Sequence, residues 1–309
     1  MRIHRLAKEA FVEWGKHMEE MRDDTAQRLK KLEPTDDQTL LENLVVAGTP
    51  DLRTADLSIP PAAILGNIFI FILAGHETSA NTLTYAVSLL ACRPAFQKLL
   101  QADIDEVWGN GRPGEWSYRN DYTKLMNGHV GALMKETLRL YTPLPFIPKI
   151  NTGRAQMLKV GQKDCILPAD TLIMVNTSAT HRNPKHWPAV TRTAADGAPY
   201  PLSSFEPERW LSLTLSEDKK GEFDPVPGAY LPFAEGFRSC MGQQFARAEF
   251  CATIVAIFSE YSVELATEPG QTFEDVLPVA EKQLSSGVGF ELGLKLKKPV
   301  PLKLVKRLK

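Results

Sequence analysis

Apolar positions recurring every three or four residues dominate the first half of the chain. Between residues 4 and 32, Leu6, Ala10, Trp14, Met18 and Met21 follow that spacing among many charges, the pattern of an amphipathic helix with one buried stripe. Pro34 closes it. A shorter helix is predicted over residues 36–46, ended by Gly48 and Pro50. Ser58 stands where it can cap a long helix reaching about Cys92. Its first turn tolerates Pro60 and Pro61, because amides there have no intrahelical partner. Pro94 starts a further helix to Trp108, which the glycines and proline of residues 109–114 terminate. Residues 129–141 read as helix again, with Val130, Leu133, Met134, Thr137, Leu138 and Tyr141 on neighbouring turns and Pro143 and Pro145 as the stop.

The texture then changes. Twelve of the 22 prolines fall between Pro143 and Pro232, a density that forbids long helices and favours loops with short strands. Strands are predicted at 157–160, 165–167 and 171–175, the last two joined by a turn at Pro168-Ala169-Asp170. Helix returns over 242–261. In the tail, Phe290, Leu292, Leu294 and Leu296 mark one face of a strand. The pattern predicts a mainly α chain with small β-sheets and no internal repeat.

A length of 309 residues allows one large domain or two. The 43% hydrophobic fraction is ordinary for a globular chain and excludes a mainly disordered one. Lys and Arg number 36 against 37 Asp and Glu, so no basic excess exists to release counterions from a nucleic acid, and no nucleic-acid partner is expected. Four cysteines, at 92, 165, 240 and 251, are too few and too scattered for a disulfide scaffold, which fits a reducing compartment. The opening Met1-Arg2-Ile3-His4-Arg5 lacks the apolar stretch of a signal peptide. The longest apolar run, residues 62–74, is interrupted by Gly66 and Asn67. It falls short of the roughly 20 residues that span a bilayer and is expected to be a buried helix.

The most informative stretch is Leu231-Pro232-Phe233-Ala234-Glu235-Gly236-Phe237-Arg238-Ser239-Cys240-Met241-Gly242, leading straight into an apolar helix. It sets one thiol at a helix N-terminus, where partial positive charge and free amides stabilise a thiolate able to ligate a soft metal centre. Gly236 and Gly242 remove side chains on either side of the sulfur, which lets a large flat ligand approach the backbone. Arg238 supplies a cation suited to a carboxylate on that ligand, and Phe233 is placed to cover the sulfur. A buried cysteine in a glycine-bearing turn explains neither the arginine nor the phenylalanine at these spacings. The form F-x-x-G-x-R-x-C-x-G occurs in full as Phe233, Gly236, Arg238, Cys240 and Gly242. Here the sequence resembles the cytochrome P450 family of heme-thiolate monooxygenases.

Ala74-Gly75-His76-Glu77-Thr78-Ser79 lies mid-helix, where Gly costs about 1 kcal/mol relative to Ala. Gly75 can open space for a diatomic molecule, Thr78 can turn its hydroxyl toward it or toward an i−4 carbonyl, and Glu77 offers a carboxylate for moving protons. The stretch is similar to the family's A-G-x-[DE]-T, which implies oxygen activation and proton delivery by Thr78 and Glu77. A zinc reading of His76-Glu77 fails, because H-E-x-x-H needs histidine at position 80 and Ala stands there. His4, His17, His129, His181 and His186 have no ligand spacing and are expected at the surface or in packing.

Glu136 and Arg139 sit three apart on one helix face. As an exposed pair they would contribute only about 0.2–0.5 kcal/mol. Their setting resembles the family's E-x-x-R helix, and Phe205-Glu206-Pro207-Glu208-Arg209-Trp210 resembles its P-E-R-F segment with Trp in place of Phe. The resemblance implies a buried structural triad of Glu136, Arg139 and Arg209. Lys149 lies near where the family often sets a basic partner for a heme propionate, and it reads equally well as a solvated lysine.

The resemblance further implies the C-terminal part of the cytochrome P450 fold, with residues 1–309 a partial domain lacking its N-terminal portion. It implies heme b (iron protoporphyrin IX) on Cys240, with Phe233, Gly236, Arg238, Gly242, Ala74 and Gly75 around it. Dioxygen, a small apolar substrate and an NADPH-dependent reductase follow as partners, since no flavin or dinucleotide motif occurs in the chain. The full-length protein is expected at the endoplasmic reticulum membrane, and this stretch alone in the cytoplasm. The alternative is a non-catalytic remnant that keeps the motifs without holding heme. A peroxide isomerase or dehydratase is disfavoured by intact Glu77 and Thr78, and cysteine nucleophile catalysis by the lack of a histidine partner.

Overall fold

The computed structural model describes residues 2–31, 39–49, 59–108, 117–187, 201–211, 225–291 and 293–308. Residues 1–76 and 77–309 form two compact units.

The first unit holds α1 (Arg2–Leu29), α2 (Leu40–Gly48) and the first half of α3 (Pro61–Cys92). The stripe on α1 delivers Met18 to a small core with Ile64 and Ile68, around which Leu41, Leu44 and Phe69 pack. Helix α2 starts at Leu40, later than the predicted residue 36, because Thr39 caps it. The Thr39 hydroxyl accepts from the Glu42 N–H at 3.3 Å while the Glu42 carboxylate accepts from the Thr39 N–H at 2.6 Å, a reciprocal capping box. Arg28 of α1 closes an ion pair on Glu42. Thr39→Ala is expected to cost about 1 kcal/mol of α2 stability, read as roughly five-fold faster amide exchange in α2 alone. The expected Ser58 cap and the stop at 109–114 lie outside the described residues.

Helix α3 has the length and composition to cross a membrane, with a mean hydropathy of 1.3. The run at 62–74 is not the buried segment expected: Ile64 and Ile68 are buried there, whereas Ile70 is 49% exposed. Two short helical faces cover only one side of it in this unit. Burial begins later, with Thr82, Tyr85, Ala86, Leu89 and Leu90, in the core of the second unit.

That core is built by the end of α3 with α4 (Pro94–Trp108), α5 (Tyr118–Asn127) and α6 (His129–Leu140). The sequence pattern misses α5 because only Leu125 on it is buried, so no apolar stripe marks it. It turns into α6 so tightly that a Cβ on Gly131 would lie 1.7 Å from the Met126 carbonyl oxygen. Ten of the twelve α6 residues are buried, which makes it the central helix.

Two antiparallel ribbons follow. Strand β1 (Phe146–Ile150) pairs with β4 (Leu172–Asn176), and β2 (Gln156–Val160) pairs with β3 (Lys163–Leu167) through a two-residue turn opened by Gly161 at φ 63°. The Pro168-Ala169-Asp170 turn links β3 to β4 without pairing them. Asn151 holds it, donating to the Pro168 carbonyl at 2.6 Å and accepting from the Thr171 N–H at 2.7 Å. Strand β1 escapes sequence detection because Pro148 interrupts its pattern, a residue tolerated where only one neighbour pairs.

A short α7 (Thr177–Thr180) and a 3-10 turn (Pro207–Trp210) lead to α8 (Gln243–Phe258). The predicted helix to residue 261 stops at Phe258, where Arg307 donates to the Phe258 carbonyl at 2.8 Å and the Ser259 carbonyl at 3.2 Å. Tyr261 instead opens β5 (Tyr261–Leu265), which Gln97 clamps by bonds to both the N–H and the carbonyl of Val263 at 2.8 and 2.9 Å. After α9 (Phe273–Ser286) come β6 (Val288–Phe290), β7 (Leu294–Leu296) and β8 (Leu302–Lys306), the last paired with β5. The single strand expected over 290–296 is therefore a hairpin of β6 and β7. Gly293 allows the close approach to the Pro143 carbonyl, 3.2 Å from where its Cβ would stand.

Candidate functional site

The cysteine loop is held by its own backbone. The Ala234 N–H donates to the Leu231 carbonyl at 3.2 Å, the Ser239 N–H to the Gly236 carbonyl at 2.9 Å, and the Cys240 N–H to the Phe233 carbonyl at 2.8 Å. Positive φ at Ala234 (56°) and Gly236 (81°) lets the chain fold back so that Cys240 returns beside Phe233. Helix α8 starts three residues after the cysteine, and its cap residue Gly242 makes no side-chain capping bond. The first-turn amides of α8 thus meet no cap from that residue's side chain.

Cys240 is exposed, as are Phe237 (95%), Met241 (82%) and Phe245 (71%). Phe233 is half-buried, with the Arg247 guanidinium 5.8 Å from its ring centroid, within cation–π range. The Arg238 guanidinium stands 5.4 Å from the Phe237 ring centroid. A Cβ at Gly242 would lie 3.9 Å from the Cys240 sulfur, and one at Gly236 would meet nothing within 4 Å. The loop thus sets Phe233 and Gly242 next to Cys240, with Gly236 and Arg238 between them in the chain.

Chemistry separates this thiol from its fellows. Burial pushes the Cys92 and Cys251 thiols up to about 12, so both stay protonated at neutral pH. Cys165 is exposed on β3. Among the described residues no three His, Cys, Asp or Glu side chains converge. A metallomacrocycle carries its other ligands with it, so a single protein thiolate suffices to hold one. The exposed apolar side chains beside the sulfur and the open space at Gly236 suit such a flat, largely apolar group. The residues present fit a heme.

Ala74 and Gly75 close the first unit, and Glu77 and Thr78 open the second, all on the unbroken α3. A Cβ at Gly75 would meet nothing within 4 Å. One turn on, the Thr82 hydroxyl donates to the Thr78 carbonyl at 2.8 Å. Lys149 lies exposed on β1.

Glu136, Arg139 and Arg209 meet in one buried network. The Glu136 carboxylate accepts from Arg139 Nε and Nη2, each at 2.8 Å, and from Arg209 Nε at 3.1 Å. The Glu206 N–H and Trp210 Nε1–H add bonds of 2.9 Å each. Burial alone would raise this carboxyl, but the charge and hydrogen bonds of Arg139, the charge of Arg209 and the Glu206 amide outweigh it and hold it below the usual range. Arg139 also donates to the carbonyls of Leu202 at 2.7 Å and Ser204 at 3.1 Å, which ties α6 to the segment before the 3-10 turn.

Sequence reasoning missed the members that complete this network. Trp210, standing where the family pattern has Phe, supplies a donor that Phe lacks, and Arg93 pairs with Glu206. His181 is buried, and its Nε2 accepts from the Leu231 N–H at 2.7 Å. Nothing in the spacing of His181 marks that contact, 50 residues along the chain.

Comparison with known proteins places the chain in a family. The Cytochrome P450 family profile matches residues 2–285. A cytochrome P450 monooxygenase of Arthrobotrys oligospora is 30% identical over 261 residues, 79% of this chain and 42% of that protein. Cytochrome P450 3A16 of Mus musculus is 30% identical over 249 residues, 79% of this chain and 40% of that one. A crystal structure of a cytochrome P450, CYP102L1, superposes with a TM-score of 0.67 at 23% identity, covering 99% of this chain and 58% of that one. The chain spans about two-fifths of the length of the curated relatives it matches.

Proposed function

Because the chain belongs to the cytochrome P450 family, whose members are heme-thiolate monooxygenases carrying heme b, we propose that Cys240 is the thiolate ligand of a heme b. On the same reading, the whole protein places one atom of dioxygen into an apolar organic substrate. The observation that carries this is the exposed thiol at the head of α8, inside a loop whose backbone bonds bring it beside Phe233.

The heme, when bound, supplies the dioxygen chemistry. The chain's own residues prepare for it. Cys240 stands three residues before α8, at the positive end of that helix. Gly236 and Gly242 leave room beside the sulfur, and Phe233 is the ring placed to cover it. Arg238 is free of any carboxylate in the described loop and is the cation for a carboxylate of the macrocycle. On α3, Gly75 and Ala74 leave space, Thr78 orients a proton at its hydroxyl, and Glu77 passes protons through its carboxylate. Glu136, Arg139 and Arg209 hold the approach to the cysteine loop without touching the reacting atoms. Electrons come from an NADPH-dependent reductase, and the whole protein works at the endoplasmic reticulum membrane.

The exposure of Cys240 in a chain spanning two-fifths of its relatives favours a second reading, a non-catalytic chain that keeps the loop but does not bind heme. One experiment separates the two. Purified chain supplied with hemin, reduced and exposed to carbon monoxide is expected to show the red-shifted Soret band of thiolate ligation. Cys240→Ala is expected to abolish that band while leaving the far-UV circular dichroism unchanged. Folded wild type without the band overturns the proposal.

A further inference from the structure

A histidine far from the sulfur holds the start of the loop that carries it. His181 follows α7 and is buried between α6 and residue 231. Its Nε2 accepts from the Leu231 N–H at 2.7 Å, and its Nδ1 lies 3.3 Å from the Arg139 carbonyl oxygen. Since Leu231 can only donate, Nε2 must be unprotonated and Nδ1 must carry the hydrogen that goes to Arg139. The neutral Nδ1–H tautomer is thus dictated by two backbone groups. The His181 ring also packs 5.1 Å from that of Tyr230, whose hydroxyl donates to the Lys135 carbonyl at 3.0 Å. Residues 230 and 231 are therefore pinned to α6 twice, once by each ring.

From that anchor the loop builds in one direction. The Leu231 carbonyl receives the Ala234 N–H, Ala234 takes its positive φ, and the Phe233 carbonyl then receives the Cys240 N–H. Besides the bond to His181, the only described hydrogen bond that reaches residues 231–240 from outside is that of the Gln243 N–H to the Cys240 carbonyl at 3.4 Å, where α8 begins. We propose that His181 is a positioning residue of the heme-thiolate site: its neutral imidazole seats Leu231 and thereby sets where the loop would present the Cys240 sulfur to the iron. The part concerning iron rests on the proposed ligation by Cys240, and the seating of the loop does not.

Two substitutions test it in the 309-residue chain. His181→Phe keeps a ring against Tyr230 but leaves the Leu231 N–H unpaired. His181→Gln sets an amide oxygen near the place of Nε2 and restores the acceptor. Without heme, His181→Phe is expected to speed amide exchange over residues 231–240 by on the order of ten-fold, with α4 and α9 unchanged and with His181→Gln near wild type. With heme, the reduced carbon monoxide complex of His181→Phe is expected to lose part of its thiolate-type band, and Gln to regain it. Loop exchange indifferent to Phe, or faster exchange spread evenly over the chain and not rescued by Gln, overturns the inference. If His181→Phe does not fold, nitrogen NMR of wild type decides: an Nδ1–H tautomer supports it and an Nε2–H tautomer overturns it. A wild-type chain with Phe-sensitive, Gln-rescued loop exchange but no thiolate-type band would refute the heme reading and leave the seating of the loop standing.

Discussion

Glu136→Gln is expected to destabilise the chain by about 3–5 kcal/mol, the cost of stranding charge in a buried set. Five donors converge on this carboxylate: Arg139 Nε and Nη2, Arg209 Nε, the Glu206 N–H and the Trp210 indole N–H. A glutamine of the same shape offers one oxygen and turns an NH2 toward donors, so at least two of the five lose their acceptor. The guanidiniums of Arg139 and Arg209 would also keep their charge with the balancing carboxylate gone, and both side chains are almost wholly buried. Equilibrium urea unfolding checks it, with the slope unchanged and the midpoint lowered. Glu235→Gln, on the exposed part of the cysteine loop, is the control and is expected to stay within about 0.5 kcal/mol. A loss below 1 kcal/mol at Glu136 would mean that the arginines find other acceptors and that the set is not electrostatically closed.

The helices of the first half were readable because their apolar residues recur at helical spacing. In α6, Val130, Leu133, Met134, Thr137 and Leu138 are all buried where the pattern sets them. Helix α5 was not, since one buried leucine makes no stripe. The strands were half readable: β2, β3 and β4 alternate or carry β-branched residues, whereas β1 hides behind Pro148, and β6 and β7, which pair antiparallel, read as one strand. At the site, residue types announced chemistry but not partners. The sulfur and its glycines share one short segment, so their spacing is itself the geometry. The acceptor of the Leu231 N–H is not in that segment, and no local rule connects position 231 to position 181. Long-range polar pairing depends on where the helices bring the backbone, and a hydrophobic pattern specifies which faces are buried, not which carbonyl or amide ends opposite which ring.

That same histidine predicts an acid-sensitive stability. Burial, foremost, with the positive charges of Arg139 and Arg182 adding to it and the backbone bonds to α6 opposing it, lowers His181 to about 4 from an ordinary 6.5. The groups facing it are Arg139 on α6, Arg182 beside it and Tyr230 before the loop. The folded chain therefore holds its imidazole neutral while the unfolded chain takes up a proton below about pH 6.5. Between pH 6.5 and 4 the unfolded state binds more protons, so stability must fall as the solution is acidified. The contribution is complete above the unfolded value and lost by about pH 4, and its size for a fully buried group is about 3 kcal/mol. Asp103 and Glu136 have folded-state values below the ordinary range, and their own contributions also fade in acid, so wild type alone would not isolate the histidine. The difference between wild type and His181→Gln does, because glutamine cannot titrate. Denaturant unfolding across pH 4–8 is expected to show a constant difference between the two above pH 7, and wild type losing about 3 kcal/mol relative to His181→Gln on acidification to pH 4. A gap that stays constant would mean that the His181 ring carries its proton in the folded chain already, and then its Nε2 could not accept from Leu231.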